Sequence, residues 1–130
     1  FYGNIYCSSF LYFYNYRIMK LEQTIPALTF AASAFAALGS EHRLAILRRL
    51  VRAGPDGVPI GELGDAVGIT GSVLTHHLKQ MVSAGLVQQR RDGRRILCAV
   101  NYDEIRGLSD YLLYECCADQ GDQMTGDHNG

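Results

Sequence analysis

The sequence predicts an α+β fold that is mainly α, a winged helix-turn-helix of about five helices and one β-hairpin. Three observations carry that expectation. Two short segments with helical apolar spacing are joined by a tight glycine-containing turn in IGELGDAVGITGSVLTHHLKQM. A β-capable run split by Asp92-Gly93 follows directly. Four arginines, Arg90, Arg91, Arg94 and Arg95, crowd around that split.

The elements follow in chain order. Pro26 and ALTFAASAFAAL form a first helix, with proline at its start, Gly39 just past its end, and a small-residue face of Phe30, Ala34, Ala37 and Leu38. Ser40 caps a second helix, EHRLAILRRLVRA, in which Leu44, Leu47 and Val51 recur at helical spacing and which Gly54 closes. AGPDGVP is turn chemistry, and Pro59 opens a short third helix, IGELGDAV, ended by Gly68. A fourth helix spans 70–84, with Leu74, Leu78 and Met81 as its buried stripe and Gly85 as its stop. LVQQRRDGRRILCAV then reads as a hairpin whose two turn residues are Asp92 and Gly93. The last helix starts at NYDE, where Asn101 and Glu104 have capping-box spacing, and runs through IRGLSDYLLYECCA with Ile105, Leu108, Leu112 and Cys116 on one face.

A chain of 130 residues holds one small core. The organisation expected is a leader or non-native extension over 1–18, a winged-helix domain over 19–119 and a disordered tail over 120–130. Met19 opens a plausible natural start, and the apolar stretch before it lacks the charged start, continuous apolar centre and cleavage site of a signal peptide, and is not a membrane span. Formal charge is −1, but residues 40–95 carry nine Lys or Arg against five Asp or Glu, whereas 101–130 carry one against seven. The basic part has the size of a small DNA-binding module, so double-stranded DNA is the expected partner, with no membrane. The four cysteines lack the spacing of a secreted disulfide scaffold, which points to a reducing, cytoplasmic compartment. No spaced redox pair, activated nucleophile, phosphate loop or cofactor motif is present, so the chain does not read as an enzyme and needs no cofactor.

The fourth helix is the expected recognition helix, entering the major groove with its N-terminal end. Ser72, Val73, Thr75, His76 and Lys79 lie away from the apolar stripe and are the candidate contacts to bases or phosphates. His77 reads either as a further contact or as a support behind the helix. Much of the affinity is expected from phosphate contacts of Arg90, Arg91, Arg94 and Arg95.

In this order and spacing, ALGSEHRLAILRRL, ELGDAVGITGSVLTHHLKQMVSAGLV, the wing RRDGRR and the terminal LLYECC resemble the ArsR/SmtB family of arsenical-resistance and metal-sensor repressors over about residues 27–119. The resemblance implies a homodimer joined through the first and last helices, which binds an operator and releases it when an inducer binds. It also implies a few recurrent inducer sites. No cysteine lies between Ser8 and Leu97, which removes a site on the leading helices, and no histidine lies on the last helix, which removes a zinc site there. Cys116, Cys117 and Cys98 remain. A vicinal disulfide does not suit a helix, whereas a soft trivalent arsenic or antimony centre can bridge neighbouring thiolates where the helix frays. Inorganic arsenite would want a third thiolate, for which Cys98 is the candidate; a methylated or aryl arsenical needs two. Cys98 reads equally as a small buried hydrophobe. The alternative reading is a redox or persulfide switch joining Cys98 to one of the pair.

Overall fold

The structure, a computed structural model, describes residues 27–123. The expected leader over 1–18, Pro26 and the tail beyond 123 lie outside the described residues. The described residues fall into two compact units that divide between Leu108 and Ser109.

The first unit is the winged helix-turn-helix. Helix α1 (Leu28–Leu38) buries Ala31 and Ala34, where small side chains let it approach helices α2 (Glu41–Ala53) and α4 (Gly71–Ser83). Of the face expected from the sequence only Ala34 is buried, and Phe30 stays 51% exposed. Helix α2 has the expected ends but a different phase. Ile46, Leu47 and Leu50 are buried, while Leu44 and Val51 are 45% and 41% exposed. The period was legible; which side of the helix meets the core is decided by α3 (Ile60–Val67), α4 and the sheet, against which α2 packs. Ser40 has extended backbone at the head of α2 but makes no side-chain capping bond. At the other end, Tyr102 donates its hydroxyl to the carbonyl of Val51 at 3.0 Å and satisfies one of the carbonyls a helix leaves over.

Helix α3 follows Pro59, buries Leu63 and ends at Gly68 in the left-handed conformation. Helix α4 buries Leu74, Leu78 and Met81 as expected, and burial of each such side chain contributes roughly 1.5–3 kcal/mol.

The sheet has three strands in the order β1-β3-β2, all antiparallel. Strand β1 (Val58–Pro59) is too short to show in the sequence pattern. It pairs with β3 (Arg95–Val100), opposite Leu97 and Cys98. Gly57 makes that approach possible: its φ is +84°, and a Cβ there would lie 2.8 Å from the carbonyl oxygen of Cys98. Strand β2 (Val87–Asp92) pairs with β3 in a register that puts Asp92 opposite Arg95. The turn residues are therefore Gly93 and Arg94, one position later than the sequence suggested. Of these two turn residues only Gly93 has positive φ, as in a type II′ turn rather than type I′.

Helix α5 (Tyr102–Leu113) crosses the unit boundary. It is shorter than expected, ending before the cysteines. Leu108 is buried and Ile105 half-buried, but Leu112 is exposed. Beyond the helix, Tyr114 to Cys117 form turns, and residues Ala118–Gln123, of which 120–123 fall in the segment expected as tail, form a 3₁₀ helix. Among the described residues no helix is long and apolar enough to cross a membrane.

Candidate functional site

The inward stripe of α4 dictates what its other side shows. With Leu74, Leu78 and Met81 buried, Ser72, Val73, Thr75, His76 and Lys79 are all exposed. Thr75 donates its hydroxyl to the Gly71 carbonyl at 2.8 Å, which leaves its oxygen lone pairs to accept from outside. The His76 ring lies 3.1 Å from the Gln80 side-chain amide, within hydrogen-bond reach. No acidic side chain occupies the first turn of α4, so the partial positive charge of that helix end is left for an anion.

His77 is placed differently from these five. Its ring turns from the exposed face, stacks on His42 of α2 with centroids 5.3 Å apart, and brings Nδ1 to 3.4 Å from Arg43 Nη1. The His77 ring thus lies on the side of α4 that meets α2, the placement the reading as a support behind the helix expects, rather than among the exposed contact candidates. Burial, followed by the charges of His42, Arg43 and His76, holds its pKa below the usual 6.5. Arg43 also donates through Nη1 to Gln80 Oε1 at 2.6 Å and through Nε to the Ala37 carbonyl of α1. Arg43 and Gln80 are residues the sequence pattern did not mark. Their contact spans 37 positions, and no local spacing reports it.

The wing arginines divide into two groups. Arg90 is exposed but donates through Nη2 to the Asp56 carbonyl at 2.7 Å, tying β2 to the loop before β1. Arg95 lies 3.5 Å from Asp92, an exposed pair worth little. Arg91 and Arg94 stand exposed at and beside the hairpin tip.

Cys98 is fully buried in the sheet, and Gln89 donates its side-chain amide to the sulfur at 3.7 Å. Burial pushes the thiol pKa up, and the Gln89 bond opposes that only in part. Cys98 is thus a core thiol whose burial disfavours the thiolate form.

Cys116 and Cys117 belong to the second unit. The chain there makes successive turns, with Cys116 N–H donating to the Leu113 carbonyl and Ala118 N–H to that of Glu115, each at 3.0 Å. Glu115 and Cys117 take φ of 58° and 62°, a conformation that non-glycine residues adopt only at a cost of about 1–3 kcal/mol each. That backbone sets the two sulfurs 3.4 Å apart, too far for a disulfide bond and close enough for one atom to bridge. Among the described residues no three His, Cys, Asp or Glu side chains gather as a metal site.

Residues 38–90 match the model of a helix-turn-helix domain family. Over 83 residues the chain is 35% identical to the HTH-type transcriptional regulator NmtR of Mycobacterium tuberculosis, covering 64% of this chain and 67% of that protein. Two solved structures are alike at 25% identity. An ArsR-like transcriptional regulator from Rhodococcus sp. RHA1 aligns over 75% of this chain and 88% of its own, with a TM-score of 0.60. The homodimeric winged helix-turn-helix DNA-binding domain Mb0332 of Mycobacterium bovis aligns over 78% and 89%, with a TM-score of 0.55.

Proposed function

The chain belongs to the ArsR family of winged helix-turn-helix transcriptional regulators, and from that premise we propose that it is a homodimeric repressor whose operator is released when Cys116 and Cys117 capture a trivalent arsenical or antimonite. The family supports the DNA-binding half, and its similarity to regulators makes an enzyme the wrong class. The homodimeric relative supports a dimer, as do the exposed Leu28 and Phe30 on α1 and Leu112 and Leu113 on α5, apolar groups in want of a partner surface. Two recognition helices then meet half-sites roughly 34 Å apart.

The observation that carries the inducer is the sulfur separation. With bonds of about 2.3 Å, the length of a zinc–thiolate bond, a 3.4 Å separation subtends roughly 95° at the bridging atom. That is narrower than a tetrahedral zinc angle and suits a pyramidal trivalent centre, whose lone pair compresses its bond angles. Each thiol yields its proton as an As–OH group leaves as water, so two As–S bonds replace two As–O bonds with no change in oxidation state.

A buried, protonated Cys98 supports a two-sulfur site, and with it an arsenical carrying one methyl or aryl group rather than arsenite. The same burial weighs against the redox or persulfide bridge through Cys98. Mass measurement of the full chain tests the preference. One methylarsenic adduct per protomer is expected, formed about tenfold more tightly than any arsenite adduct. Equal affinity for both would restore a third thiolate.

A further inference from the structure

Arg43 sits where three helices of the DNA-binding unit meet. It belongs to α2, its Nε donates to the Ala37 carbonyl near the end of α1, and its Nη1 donates to Gln80 of α4 while facing His77 of the same helix. Among the described residues, no other side-chain hydrogen bond links α1 and α4 through a single group. A cation at the closing turn of α1 is favourable in itself, since it meets carbonyls that the helix leaves unpaired. The other end of the fork grips the helix whose outer face carries Thr75, His76 and Lys79.

Three histidines crowd this point. The rings of His42 and His77 stack at 5.3 Å, and those of His76 and His77 are tilted at 5.9 Å. We propose that Arg43 is the positioning residue of the recognition helix, latching α4 to the end of α1, and that the histidines around it make the latch open in acid. This rests on the DNA-binding reading given above.

The sign follows from what faces His77. The charged or titratable groups acting on it are His42 and Arg43 from α2 and His76 from its own helix, all cationic when charged. From α1 the groove brings Ser33, Ala36 and Ala37, with no charge to compensate. A neutral Nδ1 can accept from Arg43; a protonated one presents a second donor and a second positive charge at 3.4 Å. Because the folded pKa of His77 is lowered, the latch is intact above the ordinary value of 6.5. Its contribution erodes as pH falls from there through the lowered value, and below that it is gone.

The test uses the full chain and two readouts. Ring proton shifts of the histidines are followed by NMR against pH in wild type, Arg43→Ala and Arg43→Lys, the last keeping a charge but losing the fork. Affinity is measured between about pH 5.5 and about pH 7.5 for a duplex selected by wild type from a random library. His77 is expected to titrate below 6.5 in wild type, to move up in Arg43→Ala, and to move less in Arg43→Lys, which keeps the charge. Both variants should bind DNA about tenfold more weakly at the higher pH. The loss of affinity on acidification should be roughly fivefold smaller in His77→Gln than in wild type. An unchanged His77 titration without Arg43 overturns the latch, whatever the DNA does. A wild-type pH profile in His77→Gln overturns its acid sensitivity. If wild type selects no duplex, the DNA-binding reading fails instead, and the NMR arm still decides whether Arg43 holds His77.

Discussion

Replacing Cys116 and Cys117 together by serine is expected to leave operator affinity within about twofold of wild type and to abolish release by trivalent arsenicals. In wild type the same inducer should weaken operator binding by about 5- to 150-fold, the usual span of an allosteric coupling. Serine keeps the size of the side chain and its hydrogen bonding, so the turn built on Glu115 and Cys117 can persist. What serine lacks is a soft sulfur. Either single serine variant should lose most of the response too. The second As–S bond forms within one molecule at high effective concentration, whereas a single As–S bond exchanges readily with free thiols in solution. The assay is operator anisotropy with phenylarsine oxide added. Release that survives in the double variant would remove the pair from the mechanism.

Removing Arg91 and Arg94 together is expected to change how operator binding depends on salt. These arginines are exposed at the wing, while Arg90 is held by the Asp56 carbonyl and Arg95 lies beside Asp92. Each phosphate deprived of its arginine lowers the slope of log affinity against log salt by about 0.9, so two arginines from each of two protomers should reduce it by roughly 3 to 4. The weakening should be similar on operator and on unrelated duplex, because phosphates carry no sequence information. Arg90→Ala should instead act through the wing's position, with a smaller change in slope. An unaltered slope in the Arg91 and Arg94 double variant would mean that the wing does not lie along the backbone.

The parts of this molecule governed by local rules were legible in the sequence. Helix α4 and its Leu74, Leu78 and Met81 stripe, the glycine stops and the basic hairpin were each specified within a few residues. The errors have separate physical causes. Leu44 and Val51 have the right period but the wrong phase, since tertiary packing chooses the buried side. The hairpin turn slipped by one residue because Asp92-Gly93 and Gly93-Arg94 both offer a glycine, and cross-strand pairing decides between them. Strand β1 is two residues long, and its Pro59 also heads a helix.

The end of α5 is the most instructive case. Leu108, Leu112 and Cys116 continue a helical spacing, with no proline or glycine between Leu112 and Cys116 to announce a stop. The chain nevertheless leaves the helix after Leu113 and puts Glu115 and Cys117 at positive φ. Strain of this kind has no sequence signature, and it falls on Glu115 and Cys117, either side of Cys116. The expected fraying therefore comes about one turn earlier, and the two sulfurs end 3.4 Å apart. Arg43 was illegible for the opposite reason: its three partners lie on two other helices, and only the folded chain brings them together.

The most direct measurement is a titration of the wild-type operator complex with phenylarsine oxide, following DNA release and the mass of the protein in the same samples. Release should be complete at about one arsenical per protomer and should track an adduct on the peptide that contains Cys116 and Cys117. An operator complex that stays intact while that adduct forms would contradict the coupling at the centre of this account.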